Sequence, residues 1–150
     1  MKKVILICSI LLTAVISTSF ANGNGDNRNG IMSSFKEEFA NAQVTKWENY
    51  EDYIKITFVS NEQILFAYYS KNAELLAVSR NILSNQLPIN LLKSLKKNFS
   101  GYWINELFEI DANEETSYYV SLENSDKTVV LRGQAINGWQ VYHIEKKIVE

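Results

Sequence analysis

The sequence predicts an α+β fold: duplicated units, each a helix followed by an antiparallel meander, with the helices packed on one face of an antiparallel sheet. Three observations predict it. Apolar residues recur at helical spacing in two short segments, one carrying Ile31, Phe35 and Phe39, the other Leu91, Leu92, Leu95 and Phe99. Each segment is followed by alternating runs rich in β-branched and aromatic residues, joined by short polar turns that suit antiparallel pairing. The halves align at a nearly constant offset: Phe39 matches Phe99 and Val44 matches Ile104 at 60, Tyr53 matches Tyr118 at 65, and Phe66 matches Val130 at 64.

Composition agrees with one folded domain. The chain has 150 residues, 46% hydrophobic and 12% aromatic, with one proline, six glycines and a net charge of -2. That apolar content excludes disorder over most of the chain. The slight acidity argues against a nucleic-acid partner, because such binders carry a basic excess that displaces counterions.

Residues 1–21 have the layout of a secretory signal peptide. Met1-Lys2-Lys3 is a positive start, Val4 to Ile16 is almost wholly apolar, and Ser19-Phe20-Ala21 puts small residues at both cleavage-determining positions. The apolar run is ~13 residues, short of the ~20 that a span needs, so no transmembrane span is expected after signal removal. Cys8 is the only cysteine and lies inside the apolar run, away from the cleavage point. The mature chain is therefore expected to hold no disulfide and no thiolate metal site. Its expected address is the periplasm or the extracellular space.

Residues 22–30 lack apolar side chains and read as a flexible leader, which leaves 31–150 as a single α+β domain with repeat units of about 31–81 and 86–150. The first helix follows the leader, and Ser34 with Glu37 fits a capping box. Val44 to Trp47 is a brief extended run. Asp52 to Val59, Gln63 to Ser70 and Ala73 to Ser79 form a meander with turns at Ser60-Asn61-Glu62 and Lys71-Asn72. Pro88 opens the second helix, Lys96 and Lys97 suit its C-terminal dipole, and Gly101 is placed to cap it. Trp103 to Ile110, Ser117 to Glu123, Lys127 to Arg132 and Trp139 to Glu145 are the strands of the second unit.

Ala42-x-Val44-x-x-Trp47, the strand at Tyr53-Ile54, Phe66-x-x-Tyr69, Leu87-Pro88 and Asn98-Phe99-x-Gly101-Tyr102 give the chain a family likeness. In this order they resemble the PepSY-like family of exported bacterial proteins, which has been related structurally to β-lactamase-inhibitor proteins. The resemblance spans about 31–145. Family members commonly have an Asp-Gly-type turn after the tyrosine strand, whereas here Tyr69 is followed by Ser70-Lys71-Asn72-Ala73. The resemblance implies an exported fold with a non-catalytic binding role, and it carries no catalytic residue to transfer.

Catalytic parts are scarce. His143, the only histidine, falls in the last strand pattern, on a face shared with Trp139, Val141 and Glu145, and has no second histidine to join it. No Gly-x-Ser-x-Gly elbow and no phosphate-cradling glycine loop occurs. Glu37-Glu38, Glu51-Asp52 and Glu114-Glu115 are adjacent carboxylates at turns or on an exposed helix face, and solvated charge explains them. No catalytic residue, metal site or cofactor is expected.

Aromatic residues remain: three tryptophans, seven phenylalanines and eight tyrosines. Rigid aromatic surfaces with a polar handle enrich at interfaces. Tyr53, Tyr68, Tyr118 and Tyr142 sit in strand patterns and are the candidate binding residues on the sheet face left open by the helices. The expected function is an exported non-catalytic binding module, a protein inhibitor among the forms it takes, whose partner is an envelope or extracellular protein or peptide. An envelope assembly component is the alternative, and a carboxylate-based hydrolase the remote third reading.

Overall fold

The computed structural model describes residues 27–147. The expected signal peptide, Cys8 and most of the expected leader lie outside the described residues. In chain order the elements are α1 (Arg28–Glu38), β1 (Gln43–Asn49), β2 (Tyr53–Ser60), β3 (Gln63–Ser70), β4 (Leu75–Asn81), a 3-10 turn (Ser84–Gln86), α2 (Ile89–Asn98), β5 (Trp103–Ala112), β6 (Glu115–Glu123), β7 (Lys127–Gln134) and β8 (Gly138–Lys146). The eight strands form a single antiparallel sheet in sequence order, β1 to β8.

Each helix forms because one stripe finds a sheet to cover. On α1, Ile31 and Phe35 are fully buried against Ile54, Ile56 and Phe58 of β2 and Ala67 and Tyr69 of β3. On α2, Leu91 and Leu95 are buried, and Leu95 joins Leu107, Val120, Leu122, Val129 and Leu131 in a second core with Leu92 and Phe99 packed beside it. The two helical segments, 31–40 and 91–100, repeat the same order of buried, half-buried and exposed positions. Both end alike. The Phe39 N–H donates to the Phe35 carbonyl at 2.8 Å and the Phe99 N–H to the Leu95 carbonyl at 3.0 Å. Each following strand carries a bulge at the same place, between Val44 and Lys46 and between Ile104 and Glu106.

Several local expectations are corrected. The first helix starts at Arg28, inside the segment expected to be leader, and its cap is Asn27, not Ser34: the Asn27 Oδ1 accepts from the Gly30 N–H at 3.2 Å. Burial of Ile31 fixes the first turn, which the polar composition of 22–30 conceals. Gly101 does not cap α2 in a left-handed conformation, because Gly138 is the only described glycine with positive φ. The helix closes on Phe99 instead, without a left-handed residue. Register also shifts the repeat alignment. Tyr118 pairs with Gly133 as Ile54 pairs with Tyr69, so Tyr118 corresponds to Ile54 at an offset of 64, not to Tyr53 at 65. A slip of one residue moves a side chain to the other face.

Tyr69 shows what that packing costs locally. It is fully buried beneath α1, and its hydroxyl has no hydrogen-bond partner of normal geometry among the described residues. Burial first, then the Glu38 carboxylate, push its phenol up to about 12, while Ser34 beside it acts in the opposite direction. A raised phenol favours the neutral folded state, so its stabilising effect is complete below about pH 10, the value of an unfolded tyrosine, and is lost as pH rises towards 12. Tyr69→Phe is expected to leave stability at pH 7 within about 1 kcal/mol, since no hydrogen bond of normal geometry is removed. Denaturant melts from pH 7 to 11.5 should show a smaller alkaline loss in the variant than in the parent. An identical alkaline loss in both would contradict this account of Tyr69.

Candidate binding face

Alternation along β2 and β3 divides their side chains between two layers. Ile54, Ile56 and Phe58 lie under α1, and the intervening Tyr53, Lys55 and Thr57 point away from it. Tyr53, Tyr68 and Ala77 form a third buried cluster, with Tyr50, Phe66, Leu76, Ile110 and Ala112 packed around it. Tyr50 stacks on Tyr53 with ring centroids 4.6 Å apart and an interplanar angle of 17°, and Tyr53 meets Tyr68 at 5.9 Å. The Lys55 ammonium lies 4.5 Å from the centroid of Phe66 and 6.0 Å from that of Tyr68. The Tyr68 and Ser79 hydroxyls share a hydrogen bond of 3.3 Å.

The second half has a matching aromatic row. Tyr119 alternates with Val120, a core residue beneath α2, and so faces away from that helix. Phe108 stacks on Tyr119 at 5.3 Å, and Tyr119 meets Tyr142 edge-on at 5.7 Å. Burial raises the Tyr119 phenol, with Arg132 opposing the shift. Arg132 is held beside this row by the Ser117 hydroxyl at 3.1 Å. Burial likewise raises the carboxyl of Glu106, which is paired across β5 and β6 with Ser121, a buried serine whose hydroxyl has no partner among the described residues. Sequence gives no sign of this short polar stretch, because neither residue stands in a recognisable motif.

The four tyrosines singled out by sequence thus occupy three different settings. Tyr53 and Tyr68 are 6% and 5% exposed and form the floor of the aromatic cluster. Tyr142 is half-buried at the end of the second row. Tyr118 belongs to the α2 side, packed against that helix's core, so it does not share a surface with Tyr53. In the two aromatic rows the half-buried rings are Tyr50, Phe66, Phe108 and Tyr142. Phe66 and Phe108 are not evident as candidates from sequence, because strand alternation alone does not reveal which of two aromatic faces is covered.

His143 is also displaced from its expected face. A bulge opposite Val130 and Leu131 makes Val141 pair with Leu131 and His143 with Val130, leaving Tyr142 as the extra residue. His143 therefore leaves the face of Trp139 and Val141 and stands exposed. Among the described residues, no group of three or more His, Cys, Asp or Glu side chains is placed to hold a metal ion. No helix among them is long and apolar enough to cross a membrane. What the arrangement offers chemically is contact area: stacked rings, an ammonium and a guanidinium beside them, and few mobile groups.

No protein-family model matches the sequence, and no curated protein matches it. Solved structures do resemble the fold. A BLIP-like protein from Bacteroides fragilis superimposes with a TM-score of 0.67 at 18% identity, over 85% of this chain and 89% of that one. A DUF2874 family protein from Bacteroides uniformis gives 0.68 at 11% identity, over 85% and 90%. A Bacteroides eggerthii protein suggested to be periplasmic also gives 0.68 at 11% identity, with the same coverage. At these identities the likeness concerns the fold, which is BLIP-like.

Proposed function

We propose that this chain is an exported, non-catalytic binding module that grips a protein or peptide of the bacterial envelope or exterior with the aromatic side of its sheet. The observation that carries the reading is the pair of aromatic rows, Tyr50–Tyr53–Tyr68 with Lys55 over Phe66, and Phe108–Tyr119–Tyr142. Aromatic rings backed by a packed layer lose little conformational entropy on binding, so they suit hot spots.

Register supports one surface that both helices leave open. Paired strand residues share a face, and the pairs Ile56–Ala67, Ala67–Val78, Val78–Asp111 and Asp111–Thr116 run in one layer from the α1 core into β6. Leu107 and Val120, beneath α2, lie in that same layer by alternation. Both helices then cover one side, and the two aromatic rows share the other. The recurrence of helix end, bulge and pairing 60 to 64 residues later supports two repeat units, about 31–81 and 86–150. The signal-like residues 1–21, the PepSY-like motifs and a structural neighbour suggested to be periplasmic support export. The BLIP-like fold supports a binding role, with inhibition of an enzyme as one form of it.

The test is affinity capture from envelope extract. Wild-type protein should retain a partner that Phe66→Ala/Phe108→Ala loses, with Ile89→Ala on the exposed side of α2 behaving as wild type. Equal retention by all three proteins would defeat the proposed face.

A further inference from the structure

The junction of the two halves contains a cleft that borders the first aromatic cluster and shares Leu76, Ala77 and Ala112 with it. β4 and β5 pair at four positions, from Asn81–Phe108 to Val78–Asp111, whereas β5 and β6 pair at nine. Beyond Val78 the ladder stops, although both strands continue: Leu75, Leu76 and Ala77 on one side face Ala112 and the Asn113–Glu114 turn on the other. These residues, with Val78 and Asp111, line an open cleft of about 180 Å³. Its β4 wall is wholly apolar, and its opposite rim carries the carboxylates of Asp111 and Glu114 with no cation among the lining residues. The nearest basic residue of β4, Arg80, is engaged by Glu109 at 2.8 Å and directed towards Gln63. Asp111 accepts a hydrogen bond from the Thr116 hydroxyl at 2.5 Å, which holds its carboxylate at the rim.

An apolar wall facing a doubly acidic rim complements a chain that is apolar along its length and cationic at its tip. We propose that this seam cleft takes a lysine side chain of a partner protein, its methylenes against the half-buried Leu75 and Leu76 and its ammonium between Asp111 and Glu114. The long apolar stem and terminal charge of lysine match that division. The volume admits one such side chain and excludes a drug-sized ligand, for which pockets of ~300–1,000 Å³ are usual. The proposal goes beyond the aromatic face: the cleft shares Leu76, Ala77 and Ala112 with the first cluster, but no aromatic ring lines it and its acidic rim belongs to neither row.

The experiment is an amide NMR titration of the 15N-labelled protein with acetyl-lysine-methylamide and, in parallel, with the isosteric neutral acetyl-norleucine-methylamide. The lysine probe should shift the amides of Leu76, Ala77 and Ala112 with a dissociation constant on the order of millimolar, and norleucine should bind about tenfold more weakly. Glu114→Lys, in an exposed turn, should abolish the lysine response while leaving the remaining spectrum in place. Asp111→Asn supplies a second variant with a smaller change at the Thr116 contact, and should weaken the probe about tenfold. Arginine-methylamide binding better than lysine would overturn the choice of side chain. Equal shifts from norleucine, shifts mapping elsewhere, or an unaltered response in Glu114→Lys would overturn the site.

Discussion

Phe35→Ala is expected to destabilise the fold by about 3–5 kcal/mol, the range for removing a buried phenyl ring. Phe35 is 1% exposed and sits between two other rings, 5.2 Å from Phe39 and 5.0 Å edge-on to Phe58. Phe39 and Phe58 already touch at 4.7 Å, so they are fixed against each other and cannot both collapse into the space. Incomplete relaxation adds a cavity cost to the lost transfer energy. The denaturant midpoint should fall at unchanged slope, the sign of altered stability without an altered unfolded state. A loss below about 1 kcal/mol would mean that α1 is not the lid of the first core.

Gly133→Ala is expected to cost about 1–3 kcal/mol, although it adds a single methyl group. A Cβ at Gly133 would stand 2.5 Å from Cε3 of Trp139 and 2.6 Å from its Cζ3. The indole cannot step aside freely, because its Nε1 donates to the Leu91 carbonyl of α2 at 2.9 Å. The same position in the first half is Tyr69, whose own ring fills the space beneath α1. The two halves therefore solve one packing problem differently: a large residue on the third strand of one unit, a tryptophan from the neighbouring strand over a glycine in the other. Near-ultraviolet circular dichroism should report the displaced indole, and Gly133→Ala/Trp139→Leu should recover part of the lost stability. If the single variant melts as the parent does, Trp139 is not packed on Gly133.

Much of this architecture is legible in the sequence. The stripes Ile31-Phe35-Phe39 and Leu91-Leu95-Phe99 mark helices because a sheet-covering helix needs apolar residues at that spacing. The strands announce themselves by alternation and by polar turns, including Asn61-Glu62 and Asn113-Glu114, whose residues all adopt positive φ. Bulges are what the sequence conceals. The extra residues near Thr45, Leu76, Asn105 and Tyr142 each reverse the parity of the strand positions beyond them, and no residue type signals them. That is why His143 changes face. Tyr118 is misplaced by a related slip, an alignment shifted by one where β1 joins β2 and β5 joins β6. Burial of the binding candidates is equally hidden: Tyr53 and Tyr68 look like surface tyrosines in a strand pattern, yet they support the rings of Tyr50 and Phe66 from below.

That layering decides where the proposed binding face has to be tested. Truncating Tyr53 or Tyr68 would open a buried cluster and confuse lost binding with lost stability, whereas Phe66, Phe108 and Tyr142 present ring surface above it. The most direct measurement is the equilibrium affinity of one captured partner for the wild-type protein, Phe66→Ala/Tyr142→Ala and Ile89→Ala, each shown to melt cooperatively. The account predicts that the aromatic double variant binds at least tenfold more weakly, a loss of about 1.4 kcal/mol or more, while Ile89→Ala, on the exposed side of α2, stays within about threefold of wild type. An unchanged affinity in the aromatic variant, or an equal loss in Ile89→Ala, would contradict it.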